Sequence, residues 1–248
     1  MFWKWARGLI TQQQPNIVNS NRIKIIQDIC LIETHEMKSN MKKILEKMIH
    51  LNNLKSMELC ITTVKSRATP EMVSKLASKI EKFTLSTSGQ NVGKDKKLLH
   101  AIVREIARND NCNTKILRIK NQDGDFFTHV DPQLLGMAAA KLSAIEARDT
   151  GLTYGQAIIL FEAATWPNSK LEKLKLYSAL SHLKPELLCA AVKQLKELDL
   201  TRPAFTDEQK EEMFQTIQNE KINLEKLSLS WEFINSPLRL ILKNHVIN

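Results

Sequence analysis

The chain has 248 residues, 43% of them hydrophobic and 25% charged, which is too apolar for a disordered chain and enough to bury a sizeable core. No stretch approaches the roughly eighteen consecutive apolar residues of a transmembrane helix, so no membrane span is expected. The net charge of +9 is uneven: residues 1–120 carry 22 Lys+Arg against 10 Asp+Glu, and residues 121–248 carry 14 against 17.

The first segment, with Phe2, Trp3, Lys4, Trp5 and Arg7 and no acidic residue before Asp28, fits a targeting segment or an amphipathic cap, and a cap or extension is expected over residues 1–25. From Ile26 an apolar triad with spacing +3, +5 recurs: Ile26/Ile29/Leu31, Leu54/Met57/Leu59, Ile80/Phe83/Leu85, Thr114/Leu117/Ile119, Leu142/Ile145/Ala147, Leu171/Leu174/Leu176, Leu195/Leu198/Leu200 and Leu224/Leu227/Leu229. The starts are 28, 26, 34, 28, 29, 24 and 29 residues apart, a period that means a solenoid. Each triad is predicted to be a short strand.

The residues between triads read as helices. Leu134, Leu135, Ala138, Ala139 and Leu142 share one helical face; Leu187, Leu188, Ala191, Val192 and Leu195 repeat it 53 residues later, and Met72, Val73, Leu76, Ala77 and Ile80 form a more divergent copy. Pro70, Pro132 and Pro185 mark helix starts, because the first helical N–H has no intrahelical partner to lose. The intervening units start with capping boxes, Thr153-x-x-Gln156 and Thr206-x-x-Gln209. Two kinds of unit therefore alternate. The long interval after Ile80 holds an insertion at Ser86–Lys97 or a longer helix through Leu98, Leu99, Ile102 and Ile106. Asn121-Gln-Asp-Gly124-Asp is a turn signal.

A strand plus helix cannot bury its apolar edge alone, whereas stacked neighbours make one continuous core. The expected fold is thus α/β, a right-handed solenoid with short parallel strands on the concave face and helices on the convex face. About eight repeats fill residues 26–234, and residues 235–248 are expected to cap the end. L-x-x-L-x-L followed by a helix, in alternating units near 28 residues, resembles the leucine-rich repeats of the ribonuclease-inhibitor class. Lys184–Leu200 and Leu152–Gln156 look like repeats of multi-repeat intracellular proteins, sensor tails among them. The family usually places Asn or Cys three residues past the triad, to bond backbone between turns. Here Thr34, Thr62, Ser88, Gln122, Thr150, Ala179, Pro203 and Glu232 stand there. Ala179 and Pro203 cannot make that bond, which predicts irregular loops at both.

Candidate chemistry is sparse. Gly89-x-x-x-Gly93-Lys94-Asp95 is one residue short of a phosphate loop and puts Asp where the magnesium-binding hydroxyl belongs. The six histidines and four cysteines lack metal-ligand or disulfide spacing. No enzyme activity, cofactor or metal is expected, and without a secretory signature a reduced, cytoplasmic setting is. Residues between the apolar triad positions point to the concave face. From Arg118 through Glu146 and Lys175 to Asp199 their signs alternate, which predicts cross-strand ion pairs. Lys173 lies on the same face. Past the triads stand Lys120, Arg148, Tyr177, Arg202 and Trp231, residue types favoured as interface anchors. These eight positions are the candidate contacts to a protein partner, with Tyr177 and Trp231 foremost; Trp231 could equally cap the core. The expected function is a monomeric protein-interaction scaffold of innate-sensor or adaptor type, and the alternative is nucleic-acid or anionic-surface binding through the basic N-terminal half.

Overall fold

A computed structural model describes residues 28–33, 41–51, 54–61, 69–87, 92–121, 127, 129–148 and 151–229. Among them run eight strands in one open sheet: β1 Asp28–Glu33, β2 Ser56–Ile61, β3 Lys82–Thr87, β4 Ile116–Asn121, β5 Ala144–Arg148, β6 Lys173–Tyr177, β7 Glu197–Thr201 and β8 Lys226–Leu229. Seven helices alternate with them: α1 Met41–Ile49, α2 Pro70–Lys79, α3 Val92–Arg108, α4 Pro132–Lys141, α5 Tyr154–Thr165, α6 Pro185–Gln194 and α7 Asp207–Asn219. All neighbouring strands are parallel and follow chain order, so the expected α/β leucine-rich-repeat solenoid is the architecture observed. Crossovers between parallel strands are right-handed by the rule that governs such units. Neighbouring strands sit roughly 4.8 Å apart and neighbouring helices about 8–10 Å, so the stack bends with the sheet on its inner side.

The triads align without a slip. Met57, Phe83, Leu117, Ile145, Leu174, Leu198 and Leu227 face one another in register, as do Leu59, Leu85, Ile119, Ala147, Leu176, Leu200 and Leu229. All but Leu227 and Leu229, on the last described strand, are buried. Full burial of one such side chain stabilises the fold by about 1.5–3 kcal/mol, so one slipped strand would forfeit several. Thr114, the polar triad member, is buried because its hydroxyl donates to the Ala77 carbonyl of the preceding repeat at 2.7 Å. Just before each strand, backbone bonds stitch repeat to repeat, Lys115 N to Glu81 O, Ser143 N to Lys115 O and Lys196 N to Glu172 O, each at 2.8 Å.

The three prolines open α2, α4 and α6 as expected. Thr69 and Asp131 accept from the backbone N–H groups of Met72 and Leu134, while Lys184 offers α6 no side-chain cap. Both capping boxes form, at Thr153/Gln156 and Thr206/Gln209. Their glutamines also reach backwards. The Gln156 side-chain amide donates to the carbonyls of Phe127 (2.6 Å) and Val130 (2.7 Å), and that of Gln209 donates to Leu180 (2.9 Å) and Leu183. Both glutamines are about 1% exposed. They tie each α5- or α7-type unit to the loop of the unit before it.

Of the two expectations for the long interval after Ile80, the longer helix is the one observed: α3 has 17 residues and already starts at Val92. Of the phosphate-loop-like segment, Gly93 to Asp95 lie in its first turns, and Gly89 lies outside the described residues together with most of the Asn121–Asp125 turn. Irregularity at Pro203 is present: Arg202 (φ 53°) and Ala204 (φ 47°) adopt left-handed backbone on either side of it. The loops of Ala179 and Pro203 bond directly, Leu180 N donating to Pro203 O at 2.6 Å. The proposed caps at 1–25 and 235–248 lie outside the described residues.

Candidate functional site

Triad side chains point to the helices, so the residues between them cover the opposite sheet face in three rows. The first row runs from Ser56 through Lys82, Ile116, Ala144, Lys173 and Glu197 to Lys226. The middle row holds Glu58, Thr84, Arg118, Glu146, Lys175, Asp199 and Ser228. The last row, where strands exit, holds Cys60, Ser86, Lys120 and Arg148, followed by Tyr177 and Thr201 on the next two strands.

The charges of these rows are largely used within the sheet. Arg118 bonds Glu146 directly across the register at 2.8 Å, as the sign alternation predicts. Lys120 reaches over the small Thr84 to Glu58, two strands away, at 3.0 Å. Lys175 stands opposite Asp199, but its ammonium turns diagonally to Glu197 at 2.9 Å. Glu197 also receives Lys226 at 2.9 Å and Lys173 at 3.5 Å. Its side chain is only 12% exposed. Burial alone would raise the Glu197 carboxyl, but the hydrogen bonds and charges of Lys175 and Lys226 outweigh it and hold the group at about 2. Lys226 is correspondingly pushed above its ordinary range, first by its hydrogen bond to Glu197 and then by that carboxylate's charge, with a smaller contribution from Asp199.

An acid-stability prediction follows from this hub. The folded value lies below the ordinary 4.5, so the ionised form is favoured in the fold. The contribution is complete above pH 4.5 and is lost as pH falls toward about 2. Solvent around the more exposed Lys173 and Lys226 weakens it, leaving about 1–2 kcal/mol at neutral pH. Urea titrations of wild type and Glu197→Gln should differ by that amount at pH 7 and converge near pH 2.

At the exit edge the side chains are more open. The Arg202 guanidinium lies over the Tyr177 ring, 5.3 Å from its centroid, a cation–π contact made possible by the left-handed backbone at Arg202. Arg202 is exposed and Tyr177 half-buried. One repeat earlier Tyr154, 51% exposed, meets His182 edge to face at 5.0 Å and donates its hydroxyl to the His182 carbonyl at 2.7 Å. Tyr154 and His182 were not among the sequence candidates; the available signal was a tyrosine at the first turn of a capped helix on the same edge.

Of the eight candidates, the structure thus brings together Tyr177 with Arg202, Lys173 with Lys175 at Glu197, and the backbones of Lys120 and Arg148 side by side. The Arg148 side chain and all of Trp231 lie outside the described residues. Cys189 is buried under α7; burial pushes its thiol up, only partly opposed by a hydrogen bond with Thr216, which leaves it protonated and a poor nucleophile. Among the described residues no group of His, Cys, Asp and Glu could hold a metal ion, and no helix is long and apolar enough to cross a membrane.

No family model matches this chain, and no curated protein matches it. A search of solved structures finds a likeness to a chain of the Rad7 and Elc1 complex in yeast, at 16% identity and a TM-score of 0.40. The likeness covers 80% of this chain and 57% of that one, so the present chain spans little more than half the length of its structural neighbour.

Proposed function

We propose that this chain is a non-enzymatic scaffold of ribonuclease-inhibitor-class repeats that binds a protein partner at the exit edge of its sheet, as a monomer in the cytoplasm and in the manner of an adaptor or sensor tail. The observation that carries the reading is the exposed Arg202 stacked on Tyr177, one repeat from the exposed Tyr154–His182 pair. Aromatic and arginine side chains dominate interface energetics, and these are pre-positioned by packing and by an unusual backbone, which lowers the entropy lost on binding. Lys120 and Arg148 flank the cluster in the last row, and Trp231 is proposed to extend it. Arg118, Lys173 and Lys175 contribute charge pattern and register, since their ion pairs already fix them in the sheet.

The test is affinity capture from source cells with the intact chain and with Tyr177→Ala/Arg202→Ala, followed by affinity measurement on the purified partner. Losing such an anchor pair should weaken binding by about 2 kcal/mol, roughly thirtyfold, with the circular dichroism spectrum unchanged. Trp231→Ala should weaken it further. A partner that binds the double variant as tightly as wild type would refute the reading.

A further inference from the structure

On the helical side of the solenoid, cations are treated differently in the two halves. Every lysine on α4, α6 and α7 is ion-paired: Lys141 with Asp110 at 2.7 Å, Lys193 with Glu220 at 2.6 Å and Lys210 with Asp207 at 2.8 Å. On α1–α3, Lys42 has Glu46, and the Lys79 ammonium donates to the Ile49 carbonyl at the end of α1. Lys43, Lys75, Lys97, Arg104 and Arg108 are all exposed, and none has an ion-pair partner among the described residues. Lys97, Arg104 and Arg108 are spaced by seven and four residues, which sets them in one stripe along α3. Lys75 lies on the exposed side of α2, which packs beside α3. With about 8–10 Å between neighbouring helix axes and about 6–11 Å of rise between successive members of the α3 stripe, each charge lies within about one Debye length of its nearest neighbour, and their fields add.

We infer that the outer faces of α1–α3 form a second binding surface, separate from the sheet, that takes the phosphate backbone of a nucleic acid without reading its sequence. The large hydrophobic residues exposed among the described ones are Leu51, Met137 and Tyr154, and none lies on α1, α2 or α3. A protein interface needs buried apolar or aromatic anchors, and stable attachment to a lipid surface draws on inserted apolar area. Phosphate binding needs neither: cations that release condensed counterions supply the affinity, and contacts to phosphate carry no sequence information. The outer side of α7 carries Glu208, Glu211 and Glu212, which would repel a polyanion and confine it to the first repeats.

The test is fluorescence anisotropy with two labelled DNA duplexes of unrelated sequence. Both should bind alike, with log K falling against log salt at a slope of about −3 to −4, since each neutralised phosphate contributes about 0.9. Lys75→Glu/Arg104→Glu/Arg108→Glu should lower affinity at least about tenfold and flatten the slope by about 3. Lys75→Gln/Arg104→Gln/Arg108→Gln should show the same trend more weakly, which keeps the test open should charge reversal disturb folding. Tyr177→Ala should leave duplex binding unchanged, so failure at this surface is distinguishable from failure at the exit edge. Absence of binding at low salt, strong preference for one duplex, indifference to both triple variants, or binding only to phosphatidylserine vesicles would each overturn the proposal.

Discussion

Gln209→Ala is expected to lower stability by about 2–4 kcal/mol, a large effect for a polar residue outside any catalytic site. The side-chain amide of Gln209 donates to the Leu180 and Leu183 carbonyls, while its oxygen accepts from Thr206 N at 2.8 Å. Leu180 O keeps a second donor in Leu183 N, at 2.9 Å, so the main loss falls on Leu183 O, with a weakened helix cap added to it. Thr206→Ala removes only the cap and should cost about 1 kcal/mol. Gln209→Glu separates the two roles: it retains an acceptor for Thr206 N but turns a carboxylate toward two carbonyls. It should be at least as destabilising as alanine at neutral pH and recover in acid, where the carboxyl takes up a proton and regains a donor. Gln156→Ala, with the same bonds to Phe127 and Val130, should behave alike. Urea denaturation at pH 5 and pH 8 gives each value.

Gly136→Leu should be comparably damaging, at about 3 kcal/mol or more, through steric overlap. A Cβ at Gly136 would stand 2.7 Å from Ile159 Cγ1 and 2.8 Å from the Trp166 ring at Cη2, both closer than carbon atoms approach. Alanine there would gain up to about 1 kcal/mol of helix propensity, yet the overlap should outweigh it and leave a net loss of about 1–2 kcal/mol. The equivalent positions, four residues after the proline, are Ser74 in α2 and Cys189 in α6, both buried. A small residue thus recurs at the seam between a proline-started helix and its successor. Cys189→Ala should change stability by less than about 1.5 kcal/mol, because the alanine Cβ is already accommodated. Thermal melts of the three variants check the ordering.

The solenoid was legible because its triad tests itself at each repeat: one misplaced strand would break the spacing of its neighbours. Prolines and capping boxes located five helix starts for the same reason, each rule resting on local N–H groups that the sequence itself accounts for. The start of α3 was less legible, and an insertion at Ser86–Lys97 and a longer helix both stayed open, since the glycines at 89 and 93 fit either. One glycine costs a helix only about 1 kcal/mol, and the Leu98/Leu99/Ile102/Ile106 face docked on its neighbours more than offsets it. Inter-repeat bridging by Gln156 and Gln209 left one overlooked signal. A capping box tolerates Glu or Gln, and the choice of Gln in both copies points to a need for donors.

The sheet-face charges were legible in sign and row but not in partner. Register places Lys175 beside Asp199, yet a flexible lysine can equally reach a carboxylate one row away, and burial between three lysines decides for Glu197. Tyr154 and His182 meet only through the path of the loop before α6, which no periodicity encodes. The same holds for Arg202, whose position over Tyr177 depends on left-handed backbone beside Pro203.

The most direct measurement of where this scaffold binds is hydrogen–deuterium exchange with and without the captured protein partner. Added protection is expected at the exits of β5, β6 and β7, at the start of α5 with Tyr154, and in the loops that carry His182 and Arg202. Protection confined to the helical side, with those loops exchanging as in the free chain, would contradict it.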